Sequence, residues 1–202
     1  MLKKLQSKKD GFTLVELIIV ITIMVILVAL LVPNIVGYVD KSNQTAVAAE
    51  AKSIFTAAQS ACAITESSPT MKGGATTSRT VTYNGESFSA FCFSDKTVAS
   101  VLASPSSAST KDEYVAKTMC EILGIEEGSD HFDFNQGSSG SYEPYGQNVT
   151  NYNNTHSQSG LIIAYNHSGV HFVEWGRDGY LAHVDAGGNV LCNKDATFAS
   201  VS

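Results

Sequence analysis

Between Leu14 and Val32 the chain runs for 19 residues with only two hydrogen-bonding side chains, Glu16 and Thr22. As a helix this run spans about 28 Å, close to the hydrocarbon thickness of a bilayer. A secretory signal peptide has a shorter apolar region followed by a small-residue cleavage site. Here the run is too long, and Leu31-Val32-Pro33-Asn34 is a poor site of that kind. A plain signal anchor fits the length but gives no reason for Glu16. A carboxylate costs roughly 2.5 to 3.5 kcal/mol at a bilayer centre and less near the interface, and such groups usually take a partner. Cleavage after Gly11 would create one, an ammonium on Phe12 four residues away. In a packed array of such helices, Glu16 of one subunit then pairs with the Phe12 ammonium of its neighbour. That pairing acts on register more than on stability.

Charge is distributed to match. The first eleven residues carry four lysines against one aspartate, a net of +3. With -6 overall, the other 191 residues carry -9. A basic amino end beside an apolar run stays on the cytoplasmic side of a membrane. The acidic remainder gives no electrostatic reason to hold a phosphate backbone, so nucleic acid is not an expected partner.

The stretch Lys8-Lys9-Asp10-Gly11-Phe12-Thr13-Leu14-Val15-Glu16-Leu17 resembles the class III signal of type IV prepilins and related pseudopilins. The resemblance covers about residues 8 to 34, with Asp10 standing where a basic or small residue is commoner. It implies that a membrane aspartyl prepilin peptidase cuts between Gly11 and Phe12 and N-methylates Phe12. It also implies that Glu16 is the assembly glutamate and that Pro33 is a helix-kinking proline. Pro33 by itself removes a backbone donor and kinks or locally melts the helix near Ala29 and Leu30. The expected organisation is a leader at 1–11, a transmembrane and filament-core helix at 12–34, and an extracellular part at 35–202. That last part holds the amphipathic half of the helix and the globular head.

Beyond Pro33, Val47, Ala51, Ile54, Phe55, Ala58, Ala61 and Cys62 recur at three- and four-residue steps. One face of a helix ending near Thr65 or Glu66 is therefore apolar. Arg79 to Tyr83 and Ser87 to Phe93, joined through Asn84-Gly85, read as a hairpin with a type I′ turn. Thr110-x-x-Glu113 predicts a capping box for a helix from Lys111 to Leu123, closed by Gly124. Four apolar-rich runs follow, Gly160–Asn166, Gly169–Trp175, Tyr180–Asp185 and Asn189–Cys192, separated by strong turn residues. Short links make neighbours antiparallel, giving a four-stranded meander with one face to bury. The expected class is α+β and pilin-like, a long amino-terminal helix packed on that antiparallel meander.

Cys62, Cys92, Cys120 and Cys192 contain no Cys-x-x-Cys pair. In an exported head their even number allows two disulfides in any of three connectivities, with buried free thiols as the alternative. Glu126, Glu127, Asp130 and Asp133 cluster without the spacing of an EF-hand loop and read as a solvated acidic loop. His171 and His183 could face one another on adjacent strands, with His167 in the turn between strands, but no third ligand sits at metal-site spacing. Asn-x-Ser/Thr matches include those that begin at Asn148, Asn153 and Asn166, and Tyr142, Tyr145 and Tyr152 punctuate a polar stretch. No motif arranges a nucleophile with a base, so neither an enzyme nor a cofactor or metal site is expected.

The expected role is a structural subunit of a type IV pilus, serving adhesion, motility or related surface functions. Its precursor would be a single-pass membrane protein with a cytoplasmic amino terminus, and its mature form an extracellular filament. Expected partners are the prepilin peptidase, other pilin subunits, the pilus assembly machinery and the membrane. The alternative is a minor pilin or pseudopilin of a type II secretion or DNA-uptake system. A membrane-anchored extracellular enzyme or sugar-binding domain is a further alternative from another class.

Overall fold

The computed structural model describes residues 12–68, 78–94, 110–125, 145–155 and 159–201. Helix α1 runs from Leu14 to Ser67. It passes through Pro33 without interruption, so the proline does not end the helix. Strands β1 (Ser78–Tyr83) and β2 (Glu86–Ser94) precede helix α2 (Lys111–Leu123) and a short helix α3 (Val149–Thr155). Strands β3 (Ser159–Asn166), β4 (Gly169–Arg177), β5 (Tyr180–Asp185), β6 (Val190–Lys194) and β7 (Ser200–Val201) complete the order. Contacts divide the chain between Ser42 and Asn43 into two units.

In the second unit the fold is α+β. The β3–β6 meander is present, inside a larger antiparallel sheet ordered β6-β5-β4-β3-β2-β1-β7. The hairpin β1–β2 joins through β2, which pairs with β3 from Phe91↔Tyr165 to Ser94↔Ile162. The two residues of β7 pair with Val81 and Thr82. Local turn chemistry sets the hairpins: Asn84 and Gly85 have φ of 51° and 82°, and Asp178 and Gly179 have 53° and 81°. Positive φ at both central positions is the type I′ signature.

One face of the sheet meets α1. Val47, Ala51, Ile54, Phe55, Ala58, Ala61 and Cys62 are all buried, in one cluster with Leu161, Ile163, Val173, Trp175, Ala182 and Val184. Helix α2 adds Val115, Ala116, Met119 and Cys120. Its Thr110–Glu113 capping box is formed on both sides, and Gly124 closes it at φ 67°. Polar ties fix α1 and α2 in place. The indole of Trp175 donates to Glu50 at 2.9 Å, and Arg177 reaches the other oxygen of Glu50 at 3.2 Å. Lys111, almost wholly buried, pairs with Glu66 near the end of α1, and the Tyr165 hydroxyl donates to Asp112. The Lys111 bond holds the Glu66 carboxyl below its usual range.

The other face is also covered, where the sequence reading left it open. Val149 and Tyr152 of α3, with Phe198 and Ala199 of the carboxyl-terminal tail, pack on Ile162, Ala164, Phe172 and Leu181. Gly160 and Gly176 make room for this layer. A Cβ on Gly176 would collide with the Phe198 ring, and one on Gly160 would lie 2.7 Å from Tyr152. The sheet curls around the layer: Tyr83 of β1 stacks on His183 of β5 with 3.8 Å between ring centroids.

His183 does not face His171. The register places it opposite Glu174, whose buried carboxylate lies 3.2 Å from His183 Nδ1 and accepts the Ala199 amide at 2.7 Å. Ala164 pairs with Phe172 and Tyr165 with Val170, which leaves His171 as the extra residue of a bulge beside Phe88. A bulge re-aims the strand by one residue, and alternation counted on a regular strand misses it.

Glu50 is the tie that a single change tests best. Replacing it by Ala takes the acceptor from a buried indole, and the expected cost is about 1–3 kcal/mol. Glu50→Gln, which keeps an acceptor, is expected to lose less. Denaturant unfolding of both variants in detergent micelles, followed by Trp175 fluorescence, measures the difference.

Candidate functional site

Thr13 stands immediately before α1 and acts as its N-cap. The Glu16 amide donates to Thr13 Oγ1 at 3.3 Å, while the Thr13 amide and hydroxyl donate to Glu16 Oε2 at 2.9 and 2.7 Å. This is a reciprocal capping box, which satisfies amides that the first helical turn leaves without partners. The carboxylate also sits where the helix dipole favours a negative charge. Both bonds use Oε2, and Oε1 takes no hydrogen bond among the described residues. Glu16 is thus held by Thr13 through one of its two oxygens.

The helix that follows is apolar on every side and uncovered. Each large apolar residue from Leu14 to Val39 is 47–76 % exposed, and Phe12 is 88 % exposed. The most apolar 18-residue window has a mean hydropathy of 3.2 and none of it is buried. Thr22 hides its hydroxyl by donating to the Ile18 carbonyl at 2.7 Å. Thr22 is thus satisfied within the helix itself, as a bilayer or an apolar bundle demands, and Glu16 is bonded locally through one of its two oxygens. A helix exposed this fully needs lipid or other helices around it.

Gly11 lies outside the described residues, as do the acidic cluster from Glu126 to Asp133 and Tyr142. Thr13 is the residue that the reading missed. Its signal was in plain view: Thr13-x-x-Glu16 is the same capping-box pattern as Thr110-x-x-Glu113, placed before an apolar run.

Cys62 and Cys120 are buried free thiols and Cys192 is a half-buried one. For Cys92 the backbone alone is described, opposite Ala164. Burial pushes the thiols of Cys62 and Cys120 up to about 12, and burial also raises that of Cys192. Among the described residues no group of three or more His, Cys, Asp or Glu side chains is arranged to hold a metal ion.

The family model of the prokaryotic N-terminal methylation motif matches residues 6–32. This is the type IV pilin and prepilin signal, and it coincides with the capped carboxylate and the exposed helix described above. The motif marks a prepilin peptidase substrate of pilin-like or pseudopilin type, and the apolar helix fits membrane anchoring. No curated protein matches the chain, and no solved structure matches it.

Thr13→Val removes the cap while keeping size and branching. The expected loss is about 1 kcal/mol at the helix start, seen as roughly fivefold faster hydrogen exchange of the amides of residues 14–17 in micelles. The thiols make a separate prediction. Their protons are held more tightly in the folded chain than at the ordinary value of 9.0, so their contribution to stability is intact below pH 9. It falls away as pH climbs from 9 towards 12. Iodoacetamide at pH 8.5 is accordingly expected to label Cys62 and Cys120 about 100-fold more slowly in the folded than in the unfolded chain, and Cys192 faster than either.

Proposed function

We propose that this chain is the precursor of a structural subunit of a type IV pilus. The observation that carries the reading is a capped carboxylate, Glu16, in the first turn of a helix whose apolar residues from Leu14 to Val39 are uncovered. Residues 1–11 are the leader, cut between Gly11 and Phe12 by prepilin peptidase, which also methylates the new Phe12 amine. Residues 12–34 then leave the bilayer for a bundle of identical helices, and residues 35–202 stay outside as the rest of the helix and the head.

In the bundle, the Oε1 side of Glu16 takes the Phe12 ammonium of a neighbouring subunit while Thr13 keeps Oε2. Neutralising two charges at once makes the step out of the membrane feasible and sets the axial register. Pro33 supplies a point where the helix bends or loosens as the subunits pack. The role is structural, and the partners are further copies of the chain and the machinery that extracts them.

Two measurements test this. Material sheared from the cell surface is expected to yield an amino-terminal peptide that begins at Phe12 and carries one additional methyl group. Glu16→Ala is expected to leave processed chains in the membrane with surface fibres lost. A sheared-off chain still beginning at Met1, or normal fibres from Glu16→Ala, would sink the proposal. If the processed chain is present only as a trace in fibres built of another protein, the subunit is a minor pilin or a pseudopilin.

A further inference from the structure

After β6 the chain crosses the second face of the sheet from one side to the other, because β6 and β7 lie at opposite edges of it. The crossing segment, residues 195–199, is a strap. Backbone bonds tie it to the loop at the start of α3. The Phe198 amide donates to the Gln147 carbonyl at 2.9 Å, the Gly146 amide to the Ala199 carbonyl at 3.0 Å and the Val149 amide to the Ala196 carbonyl at 2.8 Å. Toward the sheet, the Ala199 amide donates to Glu174 Oε2 at 2.7 Å, a charge-assisted bond. We propose that Glu174 and His183 form an acid-operated latch on this strap, closed at neutral pH and opened when both side chains have taken up a proton. The latch belongs to the head alone and stands whether or not the chain assembles into fibres.

The closed state is well satisfied. Glu174 is 0 % exposed, and its Oε1 lies 3.2 Å from Nδ1 of His183, which is 9 % exposed. An imidazole with its proton on Nδ1 gives the carboxylate a second donor beside the Ala199 amide. A further proton on the imidazole makes an ion pair, and the strap still holds. A proton on the carboxyl then changes the balance. The Ala199 bond loses its charge assistance, and an imidazolium is left buried beneath the parallel Tyr83 ring, 3.8 Å away between centroids. Stacking on Tyr83 offsets a part of that cost, but a buried charge without its counter-ion is strongly destabilising. Lifting the strap lets water reach both groups, so the doubly protonated site is more stable open than closed.

The charges around the pair do not take over the role of Glu174. Burial and the Glu174 charge push the Tyr83 phenol up, so it stays neutral, as do the phenols of Tyr145 and Tyr152 in this layer. Asp185, two residues along β5, keeps its charge because Asn189 holds its carboxyl below the usual range, but both of its oxygens are already bound to Asn189. Glu86, opposite Tyr83 in the register, is exposed, and Asp195 at the start of the strap accepts the Thr150 hydroxyl. His171 beside Phe88 gains positive charge in acid, and Arg79 over Tyr145 carries it throughout, so both favour opening.

The test is hydrogen exchange of the full chain in detergent micelles, read as protection of single amides so that the intrinsic effect of pH cancels. Between pH 7 and about pH 4, the Phe198 and Ala199 amides are expected to lose protection roughly tenfold or more, while those of Ile163 and Val173 change less than about twofold. Equal protection of the strap at both pH values would overturn the latch. So would a loss of the same size at Ile163 and Val173, which means that the whole head responds. His183→Gln removes the buried cation, and its strap is expected to stay closed at about pH 4. Glu174→Gln leaves the imidazole without a counter-ion at every pH, so the opening midpoint is expected to rise by about one pH unit or more, toward the ordinary imidazole range. A His183→Gln strap that opens as in the unaltered chain, or a Glu174→Gln midpoint that stays or falls, overturns the proposal. If either variant fails to fold, the two sets of amides in the unaltered chain decide by themselves.

Discussion

A single apolar stripe on α1, from Val47 to Cys62, is what the second unit is organised around. It gives the sheet a surface to close on, and Trp175, Val173 and Ile163 reach it from the central strands. Removing that surface from water is the main favourable term in folding a unit of this size. The polar ties at Glu50 and at Lys111 with Glu66 add direction, because hydrogen bonds specify an angle where apolar contact does not. The same helix, nearer its amino end, is apolar on all sides and covers nothing. One continuous helix is therefore packed along one stretch and uncovered along another.

The head is built in three layers, with α1 and α2 on one side of the sheet and α3 with the carboxyl-terminal tail on the other. Central strands buried on both faces need apolar residues at successive positions, and Leu161 to Tyr165 supply them. Glu174 is the exception inside the second layer. A buried carboxylate is tolerated when its oxygens are occupied, and here the Ala199 amide and His183 take that part. The tail is thereby held against the sheet before β7 pairs with β1.

At the amino end the chemistry is economical. Thr13 and Glu16 cap the helix with bonds that use a single carboxylate oxygen. Capping a helix that enters an apolar phase matters more than capping one in water, since the leading amides have no solvent to turn to. The match of residues 6–32 to the N-terminal methylation motif and this geometry describe the same short segment from two directions.

What the sequence by itself determined is the local part. The apolar run, the buried stripe of α1, the Thr110–Glu113 capping box and the Asn84-Gly85 turn are each specified by residues within a few positions of one another, and short-range sterics and hydrogen bonds suffice to set them. The pattern at Thr13 and Glu16 was equally legible and was passed over. The tertiary structure alone decided the rest. Placing β2 beside β3, and β7 beside β1, depends on pairings between distant segments that no periodicity encodes. Coverage of the second face needs Tyr152 and Phe198 to meet over Gly160 and Gly176, and the partner of His183 depends on a one-residue bulge at His171. Those outcomes follow from which surfaces find each other in three dimensions, a choice made by packing after the local elements exist.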